Sequence, residues 1–217
     1  MKNIYLLLIF IFLLQSCGNK GNKNNADEIK SPPTDTLNNL FNIISETELL
    51  KIFGEENIVK DSTYNINGKK VYINIVYPKT KDQVEIYWTK KDGKNTISTI
   101  KQTALFDDSN NNYLLETRWK TSFGLKLGTT LKEIEELNGC PFIFYGFGWD
   151  NGGFISEFNG GKLSKLPIAL QIGIADTKSN ANNSDYENLL GNREFNSSDE
   201  EAQRLNPVVN SITIFKK

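Results

Sequence analysis

The chain has 217 residues and no histidine. That removes serine–histidine–aspartate and cysteine–histidine catalysis, the His-Glu-x-x-His zinc site and most zinc or iron ligation. It also removes the side chain that titrates unperturbed near neutral pH, so acid–base work would fall to carboxylates with strongly raised pKa values. Cysteine is scarce, with Cys17 and Cys140 alone. An excess of charge of one sign is missing as well: 25 basic and 26 acidic residues leave a net charge of −1. No basic stripe is present, which argues against nucleic acid as a partner. There is no G-x-S-x-G, no P-loop and no dinucleotide fingerprint, and no cofactor is expected.

The apolar run from Ile4 to Leu14 is too short to span a bilayer and has the size of a signal-peptide core. It leads into Leu14-Gln15-Ser16-Cys17, which resembles a bacterial lipobox, with Gln15 the less usual residue. The chemistry needs Cys17 because its thiolate receives the diacylglyceryl group. Residues 1–16 are therefore expected to be a lipoprotein signal peptide, and Cys17 the lipid-attachment site. Stable anchoring takes more than one acyl chain, which lipoprotein cysteines typically carry. Residues 17–36 are polar, rich in Asn, Lys and Gly, and contain Pro32-Pro33, the composition of a disordered tether. Asp35-Thr36-Leu37 resembles a short bacterial O-glycosylation signal at Thr36, and Asn182-Asn183-Ser184 is a formal sequon. With Cys17 acylated, Cys140 has no partner in the chain and reads as a small buried residue at a helix end.

The remaining chain, about 180 residues, can bury a real core. Its organising stretch runs from Gly124 to Phe158. Thr130 and Glu133 form a capping box, and Ile134 and Leu137 share a helix face. Gly139 supplies a left-handed terminator and Pro141 bars a restart. The period then changes: Phe142–Trp149 is aromatic and strand-like, 150–153 is turn chemistry, and Phe154–Phe158 can return as partner strand. Asp150 is expected to brace that turn through the backbone amide two residues on.

Ser45–Gly54 aligns without gaps on Thr130–Gly139, 85 residues later, with cap, Glu, apolar pair and final Gly in register. This suggests an internal repeat. Strands are expected over Asn57–Tyr64, Lys69–Tyr77, Val84–Thr89 and Thr96–Gln102, with turns at Asn67-Gly68 and Asp92-Gly93. Tyr113–Trp119 alternates, and so does Ile168–Ile174. Short helices follow Ser184 and Ser197, and Val208–Phe215 closes the chain as a strand. Strands arrive in hairpin-connected groups, so the fold class is α+β. The expectation is short helices on antiparallel meanders, arranged as two tandem modules at 37–120 and 121–217.

Gly128, Thr130, Ile134, Gly139 and Pro141 stand where the SmpA/OmlA lipoproteins carry their motif, although Thr129 replaces their usual Met. Those are small outer-membrane lipoproteins attached to the β-barrel assembly machinery. The same helix-then-meander unit occurs twice in β-lactamase-inhibitor-protein-like folds, and the chain as a whole resembles uncharacterised Bacteroidetes-type lipoproteins. The resemblance covers a short part of the chain and implies fold more than activity.

Two acidic features invite a chemical reading. The run Asp107–Asn112 resembles a calcium loop but lacks its central Gly, and Arg118 stands where the bidentate Glu belongs. Asp150 and Glu157 are the best pair for carboxylate glycan hydrolysis, a role that acids in a hairpin seldom have. The richer surface is aromatic. Alternation places Tyr145, Phe147 and Trp149 on one face, with Asp150 and Phe154 beside them, either as core under the helix or as a partner-binding surface. Trp88 and Trp119 carry the same ambiguity. The expected role is non-catalytic binding or scaffolding in the periplasm-facing envelope, more readily at the outer than the inner membrane. The partners would be the membrane, through Cys17, and an envelope protein or glycan. The alternatives are an enzyme-inhibitor or immunity-type module, and a carboxylate-dependent glycan hydrolase.

Overall fold

Thr130 opens a helix as its side chain dictates. Its hydroxyl accepts the Glu133 amide at 3.3 Å, and its own amide donates to Glu133 Oε2 at 2.7 Å. Two orphan donors of the first turn are thereby satisfied. The helix ends at Gly139, whose φ of 83° and ψ of 3° are left-handed. Asn138, fully buried, fixes this end in place. Its Nδ2 donates to the Cys140 and Phe158 carbonyls, and its Oδ1 accepts the Leu163 amide. Cys140 is half-buried rather than buried, with Sγ 3.7 Å from the Phe158 carbonyl oxygen.

The computed structural model describes residues 35–66, 68–91, 94–175 and 184–217. The expected signal peptide, Cys17 and most of the tether lie outside the described residues. So do Asn67, the Asp92-Gly93 turn and the loop at 178–183. The chain contains α1 (Glu46–Phe53), β1 (Ile58–Ile66), β2 (Lys69–Val76), β3 (Val84–Lys91) and β4 (Lys94–Thr103). A small hairpin follows, β5 (Phe106–Asp107) with β6 (Asn112–Tyr113), and then α2 (Leu131–Asn138), β7 (Ile143–Tyr145) and β8 (Ile155–Glu157). The last elements are β9 (Ile168–Gly173), α3 (Ser184–Asn188), β10 (Glu194–Asn196), α4 (Glu200–Leu205) and β11 (Val208–Phe215). The class is α+β, with antiparallel sheets and a few short helices.

Strands β1 to β4 form a meander, and β11 then β9 continue the same sheet beyond β4 in the order β1-β2-β3-β4-β11-β9. Ile100 of β4 faces Ile214 of β11 across the seam. The 37–120 and 121–217 segments thus share one sheet. A second sheet, β10-β7-β8, carries the aromatic stretch. Helices α1 and α2 match in length, and the Ser45 hydroxyl caps α1 by accepting the Glu48 amide at 3.1 Å. Their C-terminal ends differ, because Gly54 has ψ of 137° where Gly139 has 3°.

Both helices and both sheets contribute to one apolar core, including Leu49 and Phe53 of α1, Ile134 of α2, Phe144 of β7 and Ile212 of β11. Trp119 is 1 % exposed, and its Nε1 donates to the Asp82 carbonyl at 2.9 Å. It is core, not surface. Burying an indole of about 150–250 Å² contributes about 4–6 kcal/mol as an upper bound, provided the N–H finds an acceptor as it does here. Trp88 is half-buried and donates to Asn74 Oδ1, while Asn74 Nδ2 reaches Glu46 Oε1 at 2.7 Å and ties α1 to the sheet.

Several expected boundaries move. Tyr77 lies past the end of β2 with φ of 50°. Of Tyr113–Trp119 only Tyr113 is in a strand. Asp35 and Thr36, assigned to the tether, dock beside 118–120: Lys120 donates its amide to the Asp35 carbonyl, and Arg118 Nε reaches the Asp35 carboxylate at 2.9 Å. Asp107 uses its carboxylate on Ser109 and Asn110 within its own turn. Ser197 is buried, accepts the Phe142 amide at 2.8 Å and donates to Glu135, so it joins α2 to the entry of α4.

Candidate functional site

The second sheet positions the site. Strand β7 stops at Tyr145, short of the expected Trp149, and the alternation stops with it. From Gly146 the chain turns away: Phe147 donates its amide to the Leu189 carbonyl and accepts the Gly191 amide. The turn is closed by its own backbone. Gly152 donates to the Trp149 carbonyl at 2.9 Å, Phe154 to Asn151 at 3.1 Å and Gly153 to Tyr145 at 2.8 Å. The expected brace from Asp150 is therefore not used. Asp150 is exposed, and among the described residues its carboxylate has no hydrogen-bond or ionic partner.

This turn is pinned to the free edge of β9. Ile172 donates to the Gly153 carbonyl at 2.8 Å, and Gln171 Nε2 donates to the Gly152 carbonyl at 2.8 Å. Gly153 has φ of 76°, and a Cβ there would sit 1.8 Å from the Ile172 oxygen. Only glycine allows this approach.

Between turn and sheet lies a cavity of about 500 Å³. Its rings are Tyr113, Phe147, Trp149 and Tyr186, and among the described residues the one carboxylate at its edge is the exposed Asp150. Gln171 to Ile174 supply the β9 side, and Asn210 of β11 completes it. Asn210 is the extra residue of a bulge between Val209 and Ser211, and its Oδ1 is buried without a donor. A Cβ at Gly173 would lie 2.4 Å from Asn210 Nδ2, so Gly173 makes room for this amide.

The five residues expected at a binding surface separate. Phe147, Trp149 and Asp150 line the cavity, whereas Tyr145 and Phe154 do not. Phe147 is 5 % exposed and packs against Phe144 and, at 5.7 Å and 18°, against Tyr186. It is at once core and cavity wall. Tyr145 meets Trp149 edge-on at 5.6 Å and supports the indole. Phe154 is 38 % exposed and bridges to Gln171. Glu157 closes β8 and does not line the cavity, so Asp150 is not joined by the partner a two-carboxylate mechanism requires.

Sequence reasoning missed Tyr113, Tyr186, Gln171 and Asn210. The one local signal was Asn210 itself, a polar amide inside an apolar strand run. No group of three or more metal-ligating side chains gathers among the described residues. No helix among them is long and apolar enough to cross a membrane. In comparisons with known proteins, the chain matches no family model, no curated protein and no solved structure.

Proposed function

We propose that the protein is a lipid-anchored component of the bacterial envelope, held to a membrane through Cys17. Its role is to bind an envelope component without transforming it, and the cavity beside β9 is the binding site. The observation that carries this reading is a cavity lined by four aromatic residues, with its frame held by backbone bonds and the exposed Asp150 carboxylate at its edge. A cavity of this size falls within the roughly 300–1,000 Å³ of small-ligand sites, which combine rings with a few placed polar groups. The two helix-led segments fit descent from one duplicated unit, since both helices start on a Ser or Thr cap and both lead to a strand beginning at Ile, Ile58 and Ile143. The lipobox residues and the SmpA/OmlA-like motif support the envelope setting and favour the outer membrane.

The test has two parts. Cys17→Ser should abolish fatty-acid labelling and release the protein from membranes. Affinity capture from crosslinked envelopes should recover a component with the wild type that is lost with Trp149→Ala, at equal thermal stability. Capture that is indifferent to Trp149 contradicts the binding site, and labelling of the serine variant contradicts the anchor.

A further inference from the structure

The cavity's polar groups are biased toward one chemistry. Trp149 Nε1 is spent on the Gly146 carbonyl at 2.8 Å. Gln171 Nε2 gives one N–H to the Gly152 carbonyl at the same distance. What remains is the buried Asn210 Oδ1, an acceptor without a donor, the Tyr113 and Tyr186 hydroxyls, which can donate or accept, and the exposed Asp150 carboxylate, the one formal charge among the described lining residues. Four aromatic residues line the cavity, and aromatic rings attract cations in the same sense. Among the described residues no lysine or arginine lines the cavity. Arg204 is held by Asp185 and Glu200, and Arg193 lies over Phe195 and donates to the Asn188 carbonyl. A phosphate, sulfate or carboxylate would meet repulsion from Asp150, and no described lining residue supplies a cation to offset it.

We infer that the cavity takes an alkylammonium group, primary or methylated, carried by a ligand with no phosphate next to the cation. The inference rests on reading the cavity as a binding site. The rings accept the cation through their faces and the N-methyl or methylene carbons by contact, while Asp150 supplies the counter-charge. A phosphorylated amine such as a phospholipid headgroup has the same cation but brings an anion for which no described lining residue supplies a positive charge.

Saturation-transfer NMR on the full chain in an uncharged polyoxyethylene detergent tests this with choline, ethanolamine, phosphocholine and 3,3-dimethylbutanol, the neutral isostere of choline. Choline or ethanolamine should bind, the isostere about tenfold more weakly. Asp150→Asn should weaken the cation at least about threefold while leaving the melting temperature unchanged, and added salt should do the same. Equal binding of choline and its isostere, or indifference to Asp150→Asn, overturns the cation assignment. Tighter binding of phosphocholine overturns the phosphate-free assignment and points to a lipid headgroup. A neutral saccharide that binds in a Trp149-dependent way while both amines fail sinks this inference and leaves the binding site standing. Envelope capture that recovers no Trp149-dependent component sinks the site itself.

Discussion

Ile172 donates its amide to the Gly153 carbonyl at 2.8 Å, and a methyl group at Gly153 would begin 1.8 Å from the Ile172 oxygen. The two sheets touch at this point, and the cavity exists because they touch so closely. Gly153→Ala must push the turn off β9 as well as strain a positive φ. It should cost about 2 kcal/mol or more, a fall in melting temperature of about 4–8 °C for a domain of this size. An unchanged melting curve would show that the turn is not anchored there.

Helix α2 depends on its terminator through backbone conformation alone, since a Cβ at Gly139 would meet nothing closer than Lys162 Cε at 3.8 Å. Gly139→Val should cost more than about 1 kcal/mol, and Gly139→Asn much less, because Asn tolerates the left-handed region. Equal losses in chemical denaturation would point to packing, not backbone strain.

Acid should weaken the other end of the same helix. The Thr130 backbone amide, and next the Thr130 hydroxyl, hold the Glu133 carboxyl below its usual range. Its stabilising contribution is present above the ordinary glutamate pKa of about 4.3 and fades as pH falls through the lowered value. Glu133→Gln keeps an acceptor but cannot titrate, so its stability should fall less steeply as the pH drops below about 4.3. Thr130→Ala should cost about 1 kcal/mol at neutral pH. Parallel acid titrations of wild type and Glu133→Gln would contradict the box.

Asp150 gives the reverse expectation. Because the Trp149 carbonyl, not the Asp150 carboxylate, holds the Gly152 amide, Asp150→Asn and Asp150→Leu should both melt within about 0.5 kcal/mol of the wild type. A large loss in the leucine variant alone would restore the side-chain brace that the sequence suggests.

What the sequence reveals of this molecule is what short-range chemistry decides. The Thr130–Glu133 box and the Gly139 terminator act within one helix, so their residues declare them. The α+β class follows from turn spacing and alternation in the same way. The join of β11 to β4 brings Ile214 to Ile100 across more than half the chain, and no local pattern encodes that pairing. The cavity divides along the same line. Phe147, Trp149 and Asp150 come from one turn and stand out as an aromatic cluster. Tyr113, Tyr186 and Asn210 reach it only through sheet order and a bulge, and no local pattern brings them together. Asp150 misleads for a related reason: an Asp before Asn-Gly-Gly is good turn chemistry, but the backbone closes this turn first.

The central claim is that the cavity is where the protein meets its envelope ligand. It is tested most directly by photocrosslinking in living cells, with a photoreactive phenylalanine at position 149 and a control at Tyr64, 44 % exposed on the edge strand β1. The account predicts an adduct from position 149 that is absent from position 64, in cells where both variants are membrane-bound and melt like the wild type. No adduct from position 149, or the same adducts from both positions, would contradict it.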